Sequence, residues 1–146
     1  MPRHGLAALL LSAAAGMAAL PAHAVGGPKM NYMLRCMGCH LDDGSGMPGK
    51  GIPAMKGVVG HFMRLPEGRA LIVQVPGVMN APLDDRQVAQ LMNWMLKDMA
   101  GSSLPEAVSP YTEDEVKALR ATRPADVMAE RVRVVKRLRA MGYTID

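Results

Sequence analysis

A cysteine pair and a histidine stand together near the beginning of the chain, in the order Cys36-Met37-Gly38-Cys39-His40. This is the C-x-x-C-H pattern of c-type haem attachment. Two thiols one helical turn apart can add to the two vinyl groups on one edge of a haem, and the adjacent histidine is then placed to bind the iron. The motif therefore predicts a single covalently attached haem c, with Cys36, Cys39 and His40 as binding residues and His40 as an iron ligand.

A C-x-x-C pair also occurs in thioredoxin-like redox sites and in zinc sites. The redox motif follows a strand and precedes a helix, whereas here a predicted helix precedes the pair and a glycine-rich loop follows it. A structural zinc ion takes four Cys or His ligands. After Cys36, Cys39 and His40, only His61 remains outside the first 24 residues. Haem attachment is therefore the better interpretation.

The first residues have the pattern of a secretory signal peptide. Arg3 and His4 precede an apolar run over residues 6–20, and Pro21 and Ala22-His23-Ala24 follow it. This order predicts cleavage after Ala24. The run is shorter than the roughly 20 apolar residues that span a bilayer. We therefore expect a soluble, periplasmic protein with no membrane span after cleavage, in a compartment where c-type haem is attached.

The composition is poor in aromatic residues, with one Trp, one Phe and three Tyr against 14 Met and 15 Gly. A bound cofactor would supply core volume that bulky side chains usually provide. The formal net charge of +4 could suggest a nucleic-acid partner. However, Lys and Arg are spread along the chain, and no basic run is interleaved with aromatic residues that stack on bases. No nucleic-acid partner is expected.

Helical spacing dominates the pattern and predicts an all-α protein. Residues 42–57 hold five Gly and two Pro and are predicted to be a loop. Residues 70–75 are apolar enough to leave a strand open there, and residues 76–82 are predicted to be irregular. Thr112 is expected to cap a helix with Glu115 as its capping-box partner. Helices are predicted at 28–39, 58–63, 68–75, 84–99, 113–121 and 125–141.

From about residue 28 to residue 100, the sequence resembles the small, single-haem class I cytochromes c. Tyr32 stands where that family has an aromatic residue on its first helix, and the helix with Trp94 resembles the last helix, which crosses the first. The resemblance implies that the Pro53 carbonyl accepts the Nδ1 proton of His40. It implies a cytochrome c fold, here with a helical C-terminal extension. The predicted parts are a signal peptide (1–24), a haem domain (25–100), and a linker with that extension (101–146).

The resemblance also implies a second iron ligand, for which Met79 is the best candidate. Met79 lies just before the last helix, where the family carries its ligand methionine, although Asn80 and Ala81 separate it from Pro82. Met55 and Met63 are less well placed. Met92, Met95 and Met99 lie on the apolar stripe of the helix and are expected in the core. His61 offers the alternative of two histidine ligands.

Several other residues leave their roles open in the sequence. Arg69, Lys56 and Trp94 could reach the haem propionates or serve as surface charges and a core aromatic. The last predicted helix carries an apolar stripe that must be buried on its own domain or on a partner. The short linker favours its own domain. The stripe consists of Val127, Met128, Val132, Val135 and Leu138.

The predicted function is one-electron transfer between redox proteins, with no substrate transformed. The partners would be a periplasmic dehydrogenase, an oxidase or another cytochrome. The alternative is a dedicated electron-accepting subunit of a periplasmic dehydrogenase complex, in which residues 101–146 form the interface. A haem enzyme with an open distal site needs a distal acid or base, and only His61 and Glu67 are available for that role.

Overall fold

The structure, a computed structural model, describes Met1 and residues 26–145. The described part is helical and contains no strand, so the all-α prediction is confirmed. The predicted signal peptide and its cleavage site lie outside the described residues, apart from Met1. None of the helices within 26–145 is long and apolar enough to cross a membrane. The α-helices are α1 (Pro28–Arg35), α2 (Met37–His40), α3 (Pro66–Gln74), α4 (Pro76–Met79), α5 (Asp85–Met99), α6 (Glu113–Ala121) and α7 (Val127–Ala140), with 3₁₀ turns at Pro48–Lys50, Val59–Arg64 and Gly101–Ser103.

Helices α1 and α5 contact each other through aromatic side chains. The Tyr32 and Trp94 rings lie 5.4 Å apart and are tilted by 50°. A capping box begins α5, because the Gln87 amide donates to Asp84 Oδ1 and the Asp84 amide donates to Gln87 Oε1. The predicted apolar stripe of α5 is confirmed. Its buried members are Val88, Leu91, Met92, Met95 and Met99.

The apolar residues that recur along α1 do not form a buried face. Met30, Met33 and Leu34 recur at helical spacing but are exposed, and Leu34 keeps 62% of its surface accessible. The helix instead buries Asn31 and Tyr32. Helix α1 has only eight residues, and the contact of its Tyr32 ring with Trp94 of α5 sets its orientation. In that orientation the face that carries Met30, Met33 and Leu34 points outward.

Residues 66–82 are more helical than the sequence pattern indicates. The segment with the apolar run 70–75 is the helix α3, which settles the open choice between helix and strand there. Residues 76–79, predicted as irregular, form the single turn α4 with Pro76 at its first position. The amide at the first position of a helix has no partner within the helix, so the missing amide hydrogen of proline costs nothing there. Proline can therefore start a helix as well as end one.

The C-terminal extension packs on the body of its own chain, and α6 and α7 contact α3, while α6 also contacts α5. Residues 101–111 are not a free linker, since Ser103 and Tyr111 are buried. The Tyr111 hydroxyl donates to the Arg69 carbonyl oxygen at 2.7 Å. The Gln74 side chain donates to the Leu119 carbonyl oxygen at 2.7 Å. These contacts hold the extension against α3.

Helix α7 buries a different stripe from the predicted one. Val127, Val135 and Leu138 are buried as expected, together with Val134. Met128 and Val132 are exposed, at 61% and 64% of their surface. Apolar residues occur on two adjacent lines of this helix, and packing on α3 covers the line through Val134 and Leu138. The sequence alone does not distinguish the two lines.

Glu115 takes part both in the N-terminal cap of α6 and in an ion pair with Arg69. Its amide donates to Thr112 Oγ1, as predicted, but its carboxylate accepts two hydrogen bonds from Arg69, at 2.6 and 2.8 Å, instead of completing a capping box. The Arg69 guanidinium lowers the pKa of the Glu115 carboxyl, and burial opposes that shift. The charged form of Glu115 therefore stabilises the docked extension.

We expect Glu115→Gln to lower the free energy of unfolding at pH 7 by about 1–3 kcal/mol. A carboxyl group whose pKa is lowered on folding adds stability above its unfolded pKa, and loses that contribution as pH falls through its folded pKa. The difference from the unchanged protein should therefore shrink as pH falls below 4.5. Urea unfolding at several pH values measures it. Glu113→Gln is the matched control, because Glu113 pairs with Arg86 in solvent; equal losses in both variants would contradict the prediction.

Candidate functional site

The motif residues lie on a tight helical turn. Helix α1 ends at Arg35, and the chain continues through Cys36 into α2. The Cys39 and His40 amides both donate to the Cys36 carbonyl oxygen, at 3.1 and 2.9 Å. Cys36 is half-buried and Cys39 is exposed, and no disulfide joins them. Burial raises the pKa of the Cys36 thiol, and the neighbouring Cys39 raises it further. Cys36, Cys39 and His40 all line one cavity.

Tyr32 fixes the backbone at the end of this turn. Its hydroxyl donates to the Leu41 carbonyl oxygen at 2.6 Å. Leu41 has a φ of 64°, a left-handed conformation that is unfavourable for a branched side chain. Burial first, and then the nearby Cys36, Asp43 and Asp42, raise the pKa of Tyr32 to about 12. Tyr32 therefore stays protonated and keeps its hydrogen bond to the Leu41 carbonyl oxygen. The sequence does not reveal this role in holding the end of the turn.

His40 is oriented by a backbone carbonyl from the glycine-rich loop. Its Nδ1 atom lies 3.2 Å from the Pro53 carbonyl oxygen, the contact that the family resemblance implies. Burial lowers the pKa of His40, and the Pro53 hydrogen bond partly opposes this shift. The ring is therefore neutral at pH 7, with the Nδ1 hydrogen donated to Pro53. That tautomer leaves the Nε2 lone pair available for a metal.

Gly46 allows Pro53 to approach His40. It has a φ of 64°, and a Cβ atom built on it would lie 2.5 Å from the Pro53 carbonyl oxygen and 2.8 Å from the Ile52 carbonyl oxygen. Both the conformation and the space therefore require glycine. The loop is also tied to α5, because the Gly57 amide donates to the Met99 carbonyl oxygen at 2.7 Å. These contacts set the position of the Pro53 carbonyl beside His40 Nδ1.

Gly46→Ala should displace the Pro53 carbonyl from His40 and destabilise the protein. Gly57→Ala is the control, because Gly57 also has a left-handed φ, of 69°, but nothing lies within 4 Å of its added Cβ. The control should cost about 1–2 kcal/mol for backbone strain alone, and Gly46→Ala should cost more. Thermal unfolding measures both, and the NMR shifts of the His40 ring should change in the Gly46 variant only. Equal behaviour of the two variants would contradict this role for Gly46.

The cavity beside the motif has a volume of about 630 Å³. This size falls within the range of about 300–1,000 Å³ that is typical of ligand sites. Its walls come from the loop, the 3₁₀ turn Val59–Arg64, and helices α3, α4 and α5. They are mainly apolar, with Val59, Phe62, Leu71, Ile72, Leu91, Met92 and Met95 among them. An apolar cavity that borders two thiols and a neutral imidazole fits a large hydrophobic ring system that carries a metal.

The candidates for a second iron ligand occupy different places. Residues 75–78 line the cavity, and Met79 follows directly as a half-buried residue that is not among those lining it. Met55 does line the cavity. Met63 instead lies near the Tyr111 hydroxyl and Arg69. The His61 ring stacks on Tyr143 at 4.5 Å and does not line the cavity.

The three residues considered for propionate contacts are engaged elsewhere. Arg69 binds Glu115, Lys56 forms an exposed ion pair with Asp43 at 2.9 Å, and Trp94 packs on Tyr32. None of these three lines the cavity. Instead, the structure brings Arg35, Met128 and Arg131 to it. No local pattern marks Arg131 among the many basic residues of α7, so only the packing of that helix identifies it.

Comparison with known proteins agrees with this arrangement. No protein-family model matches the chain. Cytochrome c-552 of Thermus thermophilus is 30% identical over 117 residues, which cover 66% of this chain and 88% of the relative. A second cytochrome c-552, from a named strain of the same species, is also 30% identical over 117 residues, covering 66% of this chain and 78% of the relative.

The chain belongs to the c-type cytochromes. It is therefore an electron-transfer protein with covalently bound haem c and its iron. The apolar cavity next to the two cysteines and an oriented, neutral histidine fits this cofactor.

Proposed function

We propose that this protein is a periplasmic, single-haem class I cytochrome c that carries one electron at a time between redox proteins. Cys36 and Cys39 bind the haem covalently, and His40 is the proximal iron ligand. The observation that carries the proposal is the convergence of these three residues on one apolar cavity, with His40 Nδ1 held 3.2 Å from the Pro53 carbonyl oxygen.

The chain's own residues prepare the site for electron transfer. When bound, haem supplies the one-electron ferric/ferrous couple. Pro53 fixes the ring plane of His40 and raises the basicity of its Nε2 atom. The apolar side chains of α3 and α5 exclude water, which limits reorganisation and raises the reduction potential. Tyr32, a donor at all physiological pH values, keeps the end of the motif turn in place.

Met79 is proposed as the second iron ligand. Its support is its position, since it directly follows the cavity-lining residues 75–78 and is half-buried at the end of α4. A methionine thioether in this role raises the potential relative to a second histidine. His61 is a poorer candidate because it stacks on Tyr143, away from the cavity.

The domain division and the location of the protein belong to the same proposal. A signal peptide of residues 1–24 exports the chain, residues 25–100 hold the haem, and residues 101–146 form the extension. Donor and acceptor would be a periplasmic dehydrogenase, an oxidase or another cytochrome. A dedicated dehydrogenase subunit is less favoured, since α6 and α7 pack on the body of their own chain.

A potentiometric titration of the purified full-length protein tests this function. We expect one haem per chain and one reversible Nernst transition with a slope for one electron. The protein should also exchange electrons with a second cytochrome while remaining a monomer in size-exclusion chromatography. More than one haem per chain, an irreversible couple or constant co-purification with one dehydrogenase would contradict the proposal.

A further inference from the structure

The segment between α3 and α5 carries Met79 and is bonded mainly to itself. The amides of Met79 and Asn80 donate to the carbonyl oxygens of Val75 and Pro76, at 3.0 and 2.9 Å. These bonds close the turn α4 without joining it to another element. The buried Val78 side chain adds packing against the body of the protein. How well the segment keeps its place therefore depends strongly on what holds its two ends.

Helix α6 of the C-terminal extension holds the first end. Gln74 is the last residue of α3 and directly precedes the segment. Its side chain is only 4% exposed, and Nε2 donates to the Leu119 carbonyl oxygen at 2.7 Å. A buried amide group without a partner is costly, so this bond ties Gln74 to α6.

The next residue of α6 holds the second end. Arg120 Nη1 donates to the Leu83 carbonyl oxygen at 3.1 Å and to Asp85 Oδ1 at 2.8 Å. Leu83 lies at the end of the segment, and Asp85 begins α5. The side chains of Arg120 and Asp85 are 22% and 28% exposed, so solvent screens their attraction only in part. Two consecutive residues of α6 thus bind the two ends of one short segment.

Helix α6 is anchored independently of this segment. Its Val116 side chain is fully buried, and the helix packs on both α3 and α5. The ion pair of Glu115 with Arg69 fastens it to α3. Moving residues 75–83 away from the cavity would therefore break bonds to a fixed element, which raises the free energy of local opening.

We propose that Arg120 is a positioning residue for the second iron ligand. Together with Gln74, it clamps residues 75–83 and keeps Met79 from moving away from the iron. This inference rests on the proposed function, in which Met79 is that ligand. It gives α6 a role in iron ligation beyond covering the body of the protein. An external ligand binds the iron only after Met79 has left, so its apparent affinity reports the fraction of molecules in which the segment is open.

Arg120→Gln should make imidazole bind the ferric protein roughly tenfold more tightly, because a hydrogen bond from a charged group no longer opposes opening. The amides of Met79 and Asn80 should exchange their hydrogens faster by a similar factor. Without imidazole, the variant should keep the charge-transfer band of methionine ligation. Arg120→Lys should restore much of the original behaviour, because an ammonium group can still donate to the Leu83 carbonyl oxygen.

The test is imidazole titration of purified, ferric, full-length holoproteins, followed by loss of the methionine band. Hydrogen exchange of residues 75–83 is measured on the same samples by mass spectrometry. Arg86→Gln is the matched control, because it removes the same charge from an exposed ion pair between α5 and α6, formed with Glu113 at 3.1 Å. We expect that control to match the unchanged protein in both measurements. Arg120→Met repeats the test if Arg120→Gln gives little protein.

Failure of the inference is distinguishable from failure of the proposed function. If the Arg120→Gln and Arg120→Met variants match Arg86→Gln in imidazole affinity and hydrogen exchange, the role of Arg120 is wrong while ligation by Met79 stands. Equal gains in all three variants would also contradict that role, because they would follow from the lost charge alone. If the unchanged ferric protein lacks the methionine band, the assignment of Met79 is wrong and the inference fails with it.

Discussion

Replacing Cys36 and Cys39 together by alanine is expected to abolish covalent haem attachment and to leave little folded protein. The cavity beside them has a volume of about 630 Å³. At about 24 cal/mol per Å³, leaving it empty would cost up to about 15 kcal/mol. This is an upper bound because an emptied cavity partly collapses or admits water. Even half of it rivals the whole stability of a typical domain, about 5–15 kcal/mol.

Haem staining after denaturing electrophoresis and far-ultraviolet circular dichroism measure these two effects. Met33→Ala is a control on the same stretch of chain, because Met33 is an exposed residue of α1 outside the cavity. It should keep its haem and its helical signal. Covalent haem in the double cysteine variant would place the attachment elsewhere.

Met79→Leu is expected to give the largest change in redox properties. The ferric protein should show the weak long-wavelength charge-transfer band of methionine ligation, and the variant should lose it. Its reduction potential should fall, because a thioether ligand stabilises the ferrous state. The open iron site should also bind added imidazole or azide. Absorption spectroscopy and redox titration measure these changes.

Two methionines that line the cavity provide matched controls. Met55→Leu and Met128→Leu replace thioethers from the loop and from α7 with a similar volume. Both variants should keep the charge-transfer band. If either control loses the band while Met79→Leu keeps it, the ligand assignment passes to that residue.

The sequence predicted those features that depend on local pattern. The motif Cys36–His40 requires only spacing, and α5 carries a buried stripe bounded by a capping residue, so both could be located before the fold was known. The contact between His40 and Pro53 came from the family resemblance, and the structure contains it.

The features missed by the sequence depend on which surfaces meet. In α1 and α7, apolar residues lie on more than one face of the helix, and tertiary packing decides which face is buried. In α1 it buries Tyr32 and leaves Met33 exposed, and in α7 it buries Val134 and leaves Val132 exposed. Glu115 followed the pattern of a capping box, but a well-placed Arg69 forms a stronger pair with it. Arg131 reaches the cavity only because α7 returns to the body of the protein.

The most direct test of the account is to map the haem on the purified, full-length protein. After proteolysis, the peptide that contains residues 36–40 should carry the haem absorbance and a mass increase of one haem. The haem should stay on that peptide through extraction with acidic acetone. Haem that is extracted freely, or that maps to a peptide without Cys36 and Cys39, would contradict the central claim.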